Sequence, residues 1–155
     1  MITYSVHEVS RILGIEKSRV RDWIVKGFII PSWHKAMARG DKNLLTYNNL
    51  CYVYLFQQLL TMRLHRSSIS FIISEIGKVG LSENLESNFR YVVWNTKNPK
   101  EGGNIAISTQ IPTSMIDTLI VGDRRAASRG SRQMLVIDLL EVKNEVDRKR
   151  EKRGG

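Results

Sequence analysis

The first thirty residues carry the pattern that most restricts the fold, because they encode two short helices that meet at a glycine. Ser5 and Glu8 have the spacing of a capping box, in which each side chain binds the backbone N–H of the other residue. The box predicts that a helix begins directly after Ser5. Gly14 can end that helix in a left-handed turn. Four apolar residues between these signals fall on one helical face: Val6, Val9, Ile12 and Leu13.

A second helix is predicted from about residue 17 to residue 26. Its inward face carries Val20, Trp23 and Ile24, and Gly27 ends it. Trp23 stands among aliphatic residues at helical spacing, so we interpret it as a core residue. Two helices joined by a glycine turn at this spacing are typical of the helix-turn-helix motif, whose second helix can enter a DNA major groove.

Residues 32–46 predict a β-hairpin after the second helix. Gly40 and Asp41 supply the turn, and apolar residues lie on both sides of a polar stretch. Three cations cluster near the tip: Lys35, Arg39 and Lys42. A basic hairpin in this position can act as a wing that follows a phosphate backbone. Trp33 lies close to this wing, where it can either stack on DNA or pack in the core.

Apolar periodicity then predicts two further helices, over residues 48–64 and from residue 67 or 68 to 78, which we expect to close the N-terminal core. The remaining sequence has short β-prone runs at 91–94, 105–107 and 134–137, and an amphipathic terminal helix over 139–152. Residues 115–121 fit a strand or a helix, and residues 124–132 are interpreted as a loop.

The predicted fold class is therefore α+β. We expect a winged helix-turn-helix with four helices and a hairpin wing in residues 1–78. A small β-rich region with a C-terminal amphipathic helix follows in residues 85–155, and it is a candidate for dimerisation or for binding a protein partner.

The charge distribution favours a polyanionic partner. The chain carries a formal net charge of +9. Residues 1–66 contain ten lysines and arginines against four acidic residues, whereas residues 67–147 are nearly neutral. A basic surface attracts phosphate and accelerates encounter. The basic run at 148–153 can either neutralise additional phosphates or complement the dipole of the terminal helix.

Other site chemistries lack support in the sequence. Cys51 is the single cysteine, which excludes an intramolecular disulfide and makes a small buried apolar residue the simplest interpretation. The three histidines lack the spacing of metal ligands, and we recognise neither a phosphate-binding glycine motif nor a nucleophile motif. We therefore expect no enzyme activity, metal or cofactor. The absence of an apolar spanning run and of an export signal predicts a cytoplasmic, nucleoid-associated protein without membrane contact.

The N-terminal half resembles the MerR type of transcriptional regulator. The resemblance covers residues 3–78, through YSVHEV at 4–9, LGI at 13–15, SRVRDW at 18–23, KGFI at 26–29 with Pro31, and LTYNNL at 45–50. It implies a homodimer that binds double-stranded DNA specifically. The position of the recognition helix implies groove contacts by Lys17, Ser18, Arg19 and Arg21. The wing implies backbone contacts by His34, Lys35, Arg39 and Lys42.

Departures from that family keep other functions open. The family usually has an aromatic residue at the position of Asp22 and a glutamate at that of Ile24. We expect Asp22 to pair with Lys26, four residues later. The same stretch resembles excisionase-type winged helices, so an architectural, DNA-bending factor is the alternative function. A protein-interaction module that has kept the winged fold without binding DNA is a third hypothesis.

Overall fold

A computed structural model describes residues 2–38, 40–79, 90–96, 104–108 and 133–154. These residues form helices and strands, as the predicted α+β class requires. In chain order the elements are α1 (Val6–Leu13), α2 (Lys17–Val25), α3 (Tyr47–Thr61), α4 (Arg66–Val79), β1 (Tyr91–Thr96), β2 (Asn104–Ser108), β3 (Gln133–Asp138) and α5 (Leu139–Gly154). Residues 115–121 and 124–132, for which we predicted an ambiguous segment and a loop, lie outside the described residues.

Helix α1 has both ends that the sequence predicts. The Ser5 N–H donates to Glu8 Oε2 at 2.7 Å, and the Glu8 N–H donates to Ser5 Oγ at 3.2 Å, which completes the capping box. Gly14 ends the helix with φ +67°, a conformation that favours glycine. The four apolar residues of the predicted inward face are all buried. Local signals therefore account for this helix completely.

Helix α2 is anchored through its one tryptophan. Trp23 is 2% exposed, and its ring centroid lies 4.6 Å from that of Phe56 in α3. Phe28 stacks on the same phenyl ring at 5.4 Å. The other two residues of the predicted inward face, Val20 and Ile24, are also buried. The interpretation of Trp23 as a core residue is confirmed.

The segment after α2 differs from the predicted hairpin over 32–46. It has one isolated antiparallel bridge, His34 to Leu44, while Leu45 pairs with Tyr4. Side chains supply hydrogen bonds that a partner strand would otherwise make. Asn43 Oδ1 accepts the Ala36 N–H at 2.9 Å, and Asp41 Oδ2 accepts the Met37 N–H at 3.1 Å. Satisfied in this way, those backbone groups do not need a partner strand. We call residues 34–44 the basic loop.

Asn49 joins this segment to the start of α3. The Asn49 side chain is buried, and its Oδ1 accepts the backbone N–H groups of Ser32 and Thr46 at 2.8 and 3.0 Å. Its Nδ2 donates to the carbonyl of Ile30 at 2.9 Å. A buried amide with these partners fixes where the chain enters α3. That helix ends three residues earlier than predicted, since Arg63 adopts a left-handed conformation with φ +64°.

Three strands form an antiparallel sheet in the order β2-β1-β3. They coincide with the predicted β-prone runs. Val92, Val93 and Trp94 of the central strand are all buried, so both faces of β1 are covered. Arg90 binds Asp138 through two hydrogen bonds of 2.9 and 2.7 Å, and this lowers the pKa of the Asp138 carboxyl. Asp138 Oδ1 also accepts the Leu140 N–H, which starts α5 directly after β3.

The chain divides into two units, one of Met1–Gln58 with Val142–Gly155 and the other of Leu59–Glu141. This division differs from the predicted boundary between residues 78 and 85. Most of α5 belongs to the first unit, because Val142 and Val146 are buried and Tyr47 Oη donates to Asp147 Oδ1 at 2.7 Å. Helix α4, which we expected in the N-terminal core, belongs to the second unit, where Ile69, Ile72, Ile73 and Ile76 are buried.

The thiol of Cys51 is predicted to be inert in the folded protein. Burial raises the pKa of this thiol to about 12, so only about one molecule in ten thousand carries a thiolate at pH 8. A disulfide reagent such as DTNB should therefore react with the native chain far more slowly than with the chain unfolded in urea. Equal rates in the two states would show that the thiol is accessible in the folded protein.

Candidate nucleic-acid interface

Helix α2 carries the four residues for which the sequence predicts groove contacts, and three of them are exposed. Ser18, Arg19 and Arg21 are exposed, and Lys17 is half-buried. They do not share one side of the helix. Residues 17 and 21 are one turn apart, whereas Arg19 lies about 160° around the axis from Arg21, since each residue advances by about 100°. The helix therefore carries cations on two flanks, with Ser18 between them.

The basic loop places three of the four predicted wing residues in solvent. Lys35 and Lys42 are exposed. His34 is exposed as well, but its Nε2 lies 3.0 and 2.9 Å from the two carboxylate oxygens of Asp41. This ring nitrogen is engaged within the loop, so His34 helps to hold the loop in shape. Arg39 lies outside the described residues.

Asp41 organises the loop. Besides contacting His34, it accepts hydrogen bonds from the backbone N–H groups of Met37 and Lys42 at 3.1 and 2.9 Å. These bonds lower the pKa of the Asp41 carboxyl, with the His34 contact as the largest cause. The predicted turn is present, because the Asp41 N–H donates to the Ala38 carbonyl at 3.1 Å and Gly40 has φ +88°. The carboxylate is thus occupied by donors of its own loop.

A depression of about 230 Å³ joins one flank of α2 to the basic loop and to the start of α1. It brings together three predicted contact residues, Lys17, Arg21 and Lys42. Ser18, Arg19 and Lys35 do not line it. The remaining lining residues are Ser5, Val6, His7, Asp41 and Asn43.

His7 is the residue of this depression that sequence reasoning missed as a candidate contact. It is exposed on the first turn of α1. Its position beside the loop depends on the pairing of Tyr4 with Leu45, in which the two N–H to carbonyl bonds are both 2.8 Å. The sequence around His7 carries no sign of that long-range pairing.

The positive charge of the predicted contact residues is not neutralised by ion pairs among the described residues. Within the described part of the chain, none of the cations Lys17, Arg19, Arg21, Lys35 and Lys42 forms an ion pair with a carboxylate. Asp22, the acidic residue of α2, pairs with Lys26 Nζ at 3.0 Å as predicted. An anionic ligand can therefore contact these cations without displacing an internal partner.

No group of three or more His, Cys, Asp or Glu residues that could hold a metal ion occurs among the described residues. Over the same residues, no helix is both long and apolar enough to cross a bilayer. In comparisons with known proteins, the chain matches no protein-family model and no curated protein.

Proposed function

We propose that this chain is a sequence-specific, DNA-binding transcriptional regulator whose first unit contains a winged helix-turn-helix of the MerR type. The observation that carries the proposal is the shared surface of Lys17 and Arg21 from α2 with Lys42 from the basic loop. A helix and a loop that present cations to one surface fit a duplex, which offers a groove beside a phosphate backbone. The sequence resemblance over residues 3–78 agrees with this reading.

In the proposed complex, α2 lies in the major groove and the basic loop lies on the adjoining backbone. The flank with Lys17 and Arg21 faces the strand that the loop also contacts. Arg19, on the opposite flank, faces the other wall of the groove. Arginine can bind guanine O6 and N7 with two hydrogen bonds, so Arg19 and Arg21 are the residues proposed to read bases. Lys35 and Lys42 bind phosphates and set the position of the helix.

A regulator of this kind places two copies of α2 in successive major grooves, about 34 Å apart along the duplex. We therefore propose that the functional species is a homodimer on a two-fold-related site, within the cytoplasmic nucleoid. The second unit, Leu59–Glu141, is the part proposed to mediate dimerisation or to bind a protein partner.

The test is binding to the DNA that flanks the chain's own coding region, measured by fluorescence anisotropy against a scrambled duplex of equal length. The double variant Arg19→Ala with Arg21→Ala should weaken binding to the native duplex at least about 30-fold, because two base-reading arginines are lost. Wild-type affinity should fall steeply with salt, with a log-log slope of about −0.9 for each phosphate contact.

Arg66→Ala with Lys78→Ala is the matched control, because it removes the same charge from exposed positions on α4. This control should bind the native duplex nearly as tightly as the wild type. An Arg19, Arg21 double variant that keeps its preference for the native duplex would refute the assignment of α2 as the recognition helix. If binding of the wild type to both duplexes is absent or insensitive to salt, the result would favour a protein partner over DNA.

A further inference from the structure

A cavity of about 570 Å³ lies between α1 and the last turns of α5, and residues of both helices line it. These stretches of the two helices belong to the first unit. Tyr4 and Ile12 are buried and form an apolar part of the wall, while the other lining side chains are charged. A concave site of this volume, with an apolar wall and a few charged groups, has the composition of a small-molecule site.

Arg150 lines this cavity with its guanidinium held by two aromatic rings. The guanidinium lies 5.1 Å from the ring centroid of Tyr47 and 6.0 Å from that of Tyr4. Among the described residues it contacts one hydrogen-bond acceptor, Asp147 Oδ1, which lies 3.5 Å from Nη1. The N–H groups on Nε and Nη2 are therefore available to a ligand. An arginine held in this way can bind a carboxylate through two hydrogen bonds with little loss of conformational entropy.

The three carboxylates that line the cavity differ in whether they already bind a donor. Glu8 accepts the backbone N–H of the α1 capping box, and Asp147 accepts the hydroxyl of Tyr47. Glu151 is exposed, and its carboxylate forms no ion pair within the described part of the chain. Arg150 and Glu151 therefore present opposite charges from consecutive positions of α5, each with hydrogen-bonding capacity that the fold does not use.

We propose that this cavity binds a free α-amino acid with a large apolar side chain. Arg150 binds the carboxylate of the ligand, Glu151 binds its ammonium group, and the apolar side chain packs against Tyr4 and Ile12. A ligand with one charge would leave either Arg150 or Glu151 partly desolvated without a partner, whereas a zwitterion satisfies both. The site is separate from the proposed DNA contacts, because none of the residues proposed to contact DNA lines it.

The experiment titrates the isotope-labelled, full-length chain with L-phenylalanine and L-leucine at millimolar concentrations and follows the backbone amides by NMR. Two analogues test the charges, since phenylalaninamide lacks the carboxylate and hydrocinnamate lacks the ammonium group. L-phenylalanine should shift amides of α1 and α5 and bind at least about tenfold more tightly than either analogue, the effect of losing a hydrogen-bonded charge. Absence of saturable shifts with both amino acids, or equal affinities for L-phenylalanine and hydrocinnamate, would overturn the proposal.

Two variants test the assigned residues separately. Arg150→Gln should weaken binding of L-phenylalanine at least about tenfold without weakening that of phenylalaninamide, and Glu151→Gln should do the same without weakening that of hydrocinnamate. Arg148→Gln is the matched control, because Arg148 is exposed on the same helix and does not line the cavity. Wild-type affinity in Glu151→Gln, which changes an exposed side chain, or equal losses in Arg148→Gln and Arg150→Gln, would overturn the proposal. The titrations contain no DNA, so their outcome is independent of the proposed regulatory function.

Discussion

Replacing Trp23 with alanine is expected to lower the free energy of unfolding by about 3–5 kcal/mol, the range for removing a buried aromatic side chain. Trp23 is almost fully enclosed, and its ring packs against Phe56, which Phe28 also contacts. The substitution therefore removes the central contact of an aromatic cluster that holds α2 on α3. A loss of this size is a large part of the stability of a typical small protein.

Urea denaturation followed by circular dichroism measures this effect, and Trp33→Ala is its control. Trp33 is 57% exposed, so its removal should change the free energy of unfolding by less than about 0.5 kcal/mol. The same two variants can be compared in the DNA-binding assay, where Trp23→Ala removes a core residue and Trp33→Ala removes a surface residue. Equal stability losses for the two variants would contradict the placement of Trp23 in the core.

The elements of the first forty-five residues that could be predicted are those with local signals. The capping box and Gly14 set both ends of α1, and the spacing of Val20, Trp23 and Ile24 identified the buried face of α2. Each signal acts within about one or two helical turns, so it does not depend on the rest of the fold. The three strands were also located, because β-branched and aromatic runs between breakers are short-range patterns.

The basic loop could not be predicted in detail because its conformation is set by side chains. A turn at Gly40 and Asp41 was expected and is present, yet the flanking residues pair at one isolated bridge. Asp41 and Asn43 bind the loop's own amides, and the sequence does not distinguish such bonds from a strand ladder. Competition of this kind between side chain and backbone is typical of Asp and Asn.

The candidate interface was predicted residue by residue but not as a surface. Lys17, Arg21 and Lys42 were all expected to contact DNA, and the structure adds that they line one depression. Arg19 lies on the other flank of α2, because each residue of a helix advances by about 100° around the axis. A list of candidate residues does not show this separation. His7 joins the surface through a backbone pairing forty-one residues apart in sequence, between Tyr4 and Leu45.

The position of the terminal helix is the largest difference between sequence and structure. The apolar residues Leu140, Val142 and Val146 predicted an amphipathic helix, and the structure buries Val142 and Val146 but leaves Leu140 half-buried. The sequence pattern could not indicate which surface covers them. Two contacts join α5 to a residue about one hundred positions earlier in α3: Tyr47 binds Asp147, and the guanidinium of Arg150 lies 5.1 Å from the Tyr47 ring centroid. Hydrophobic patterns identify a face, and tertiary packing selects its partner.

Val146→Asp is therefore expected to destabilise the first unit by at least about 3 kcal/mol, because it places a charge at a fully buried apolar position. Val146 is fully buried, one residue before the Asp147 that binds Tyr47. Loss of the α5 contacts should also loosen the start of α3, which Asn49 ties to the segment after α2. DNA affinity should consequently fall even though residue 146 lies outside the predicted N-terminal domain.

Asn144→Asp is the control, since it adds the same charge to an exposed position on the same helix. It should leave the urea midpoint and the DNA affinity close to those of the wild type. A Val146→Asp variant that unfolds at the wild-type urea concentration would show that α5 contributes nothing to the stability of the first unit. Destabilisation with unchanged DNA affinity would instead confine the role of α5 to folding, with the recognition surface formed by residues 2–58 alone.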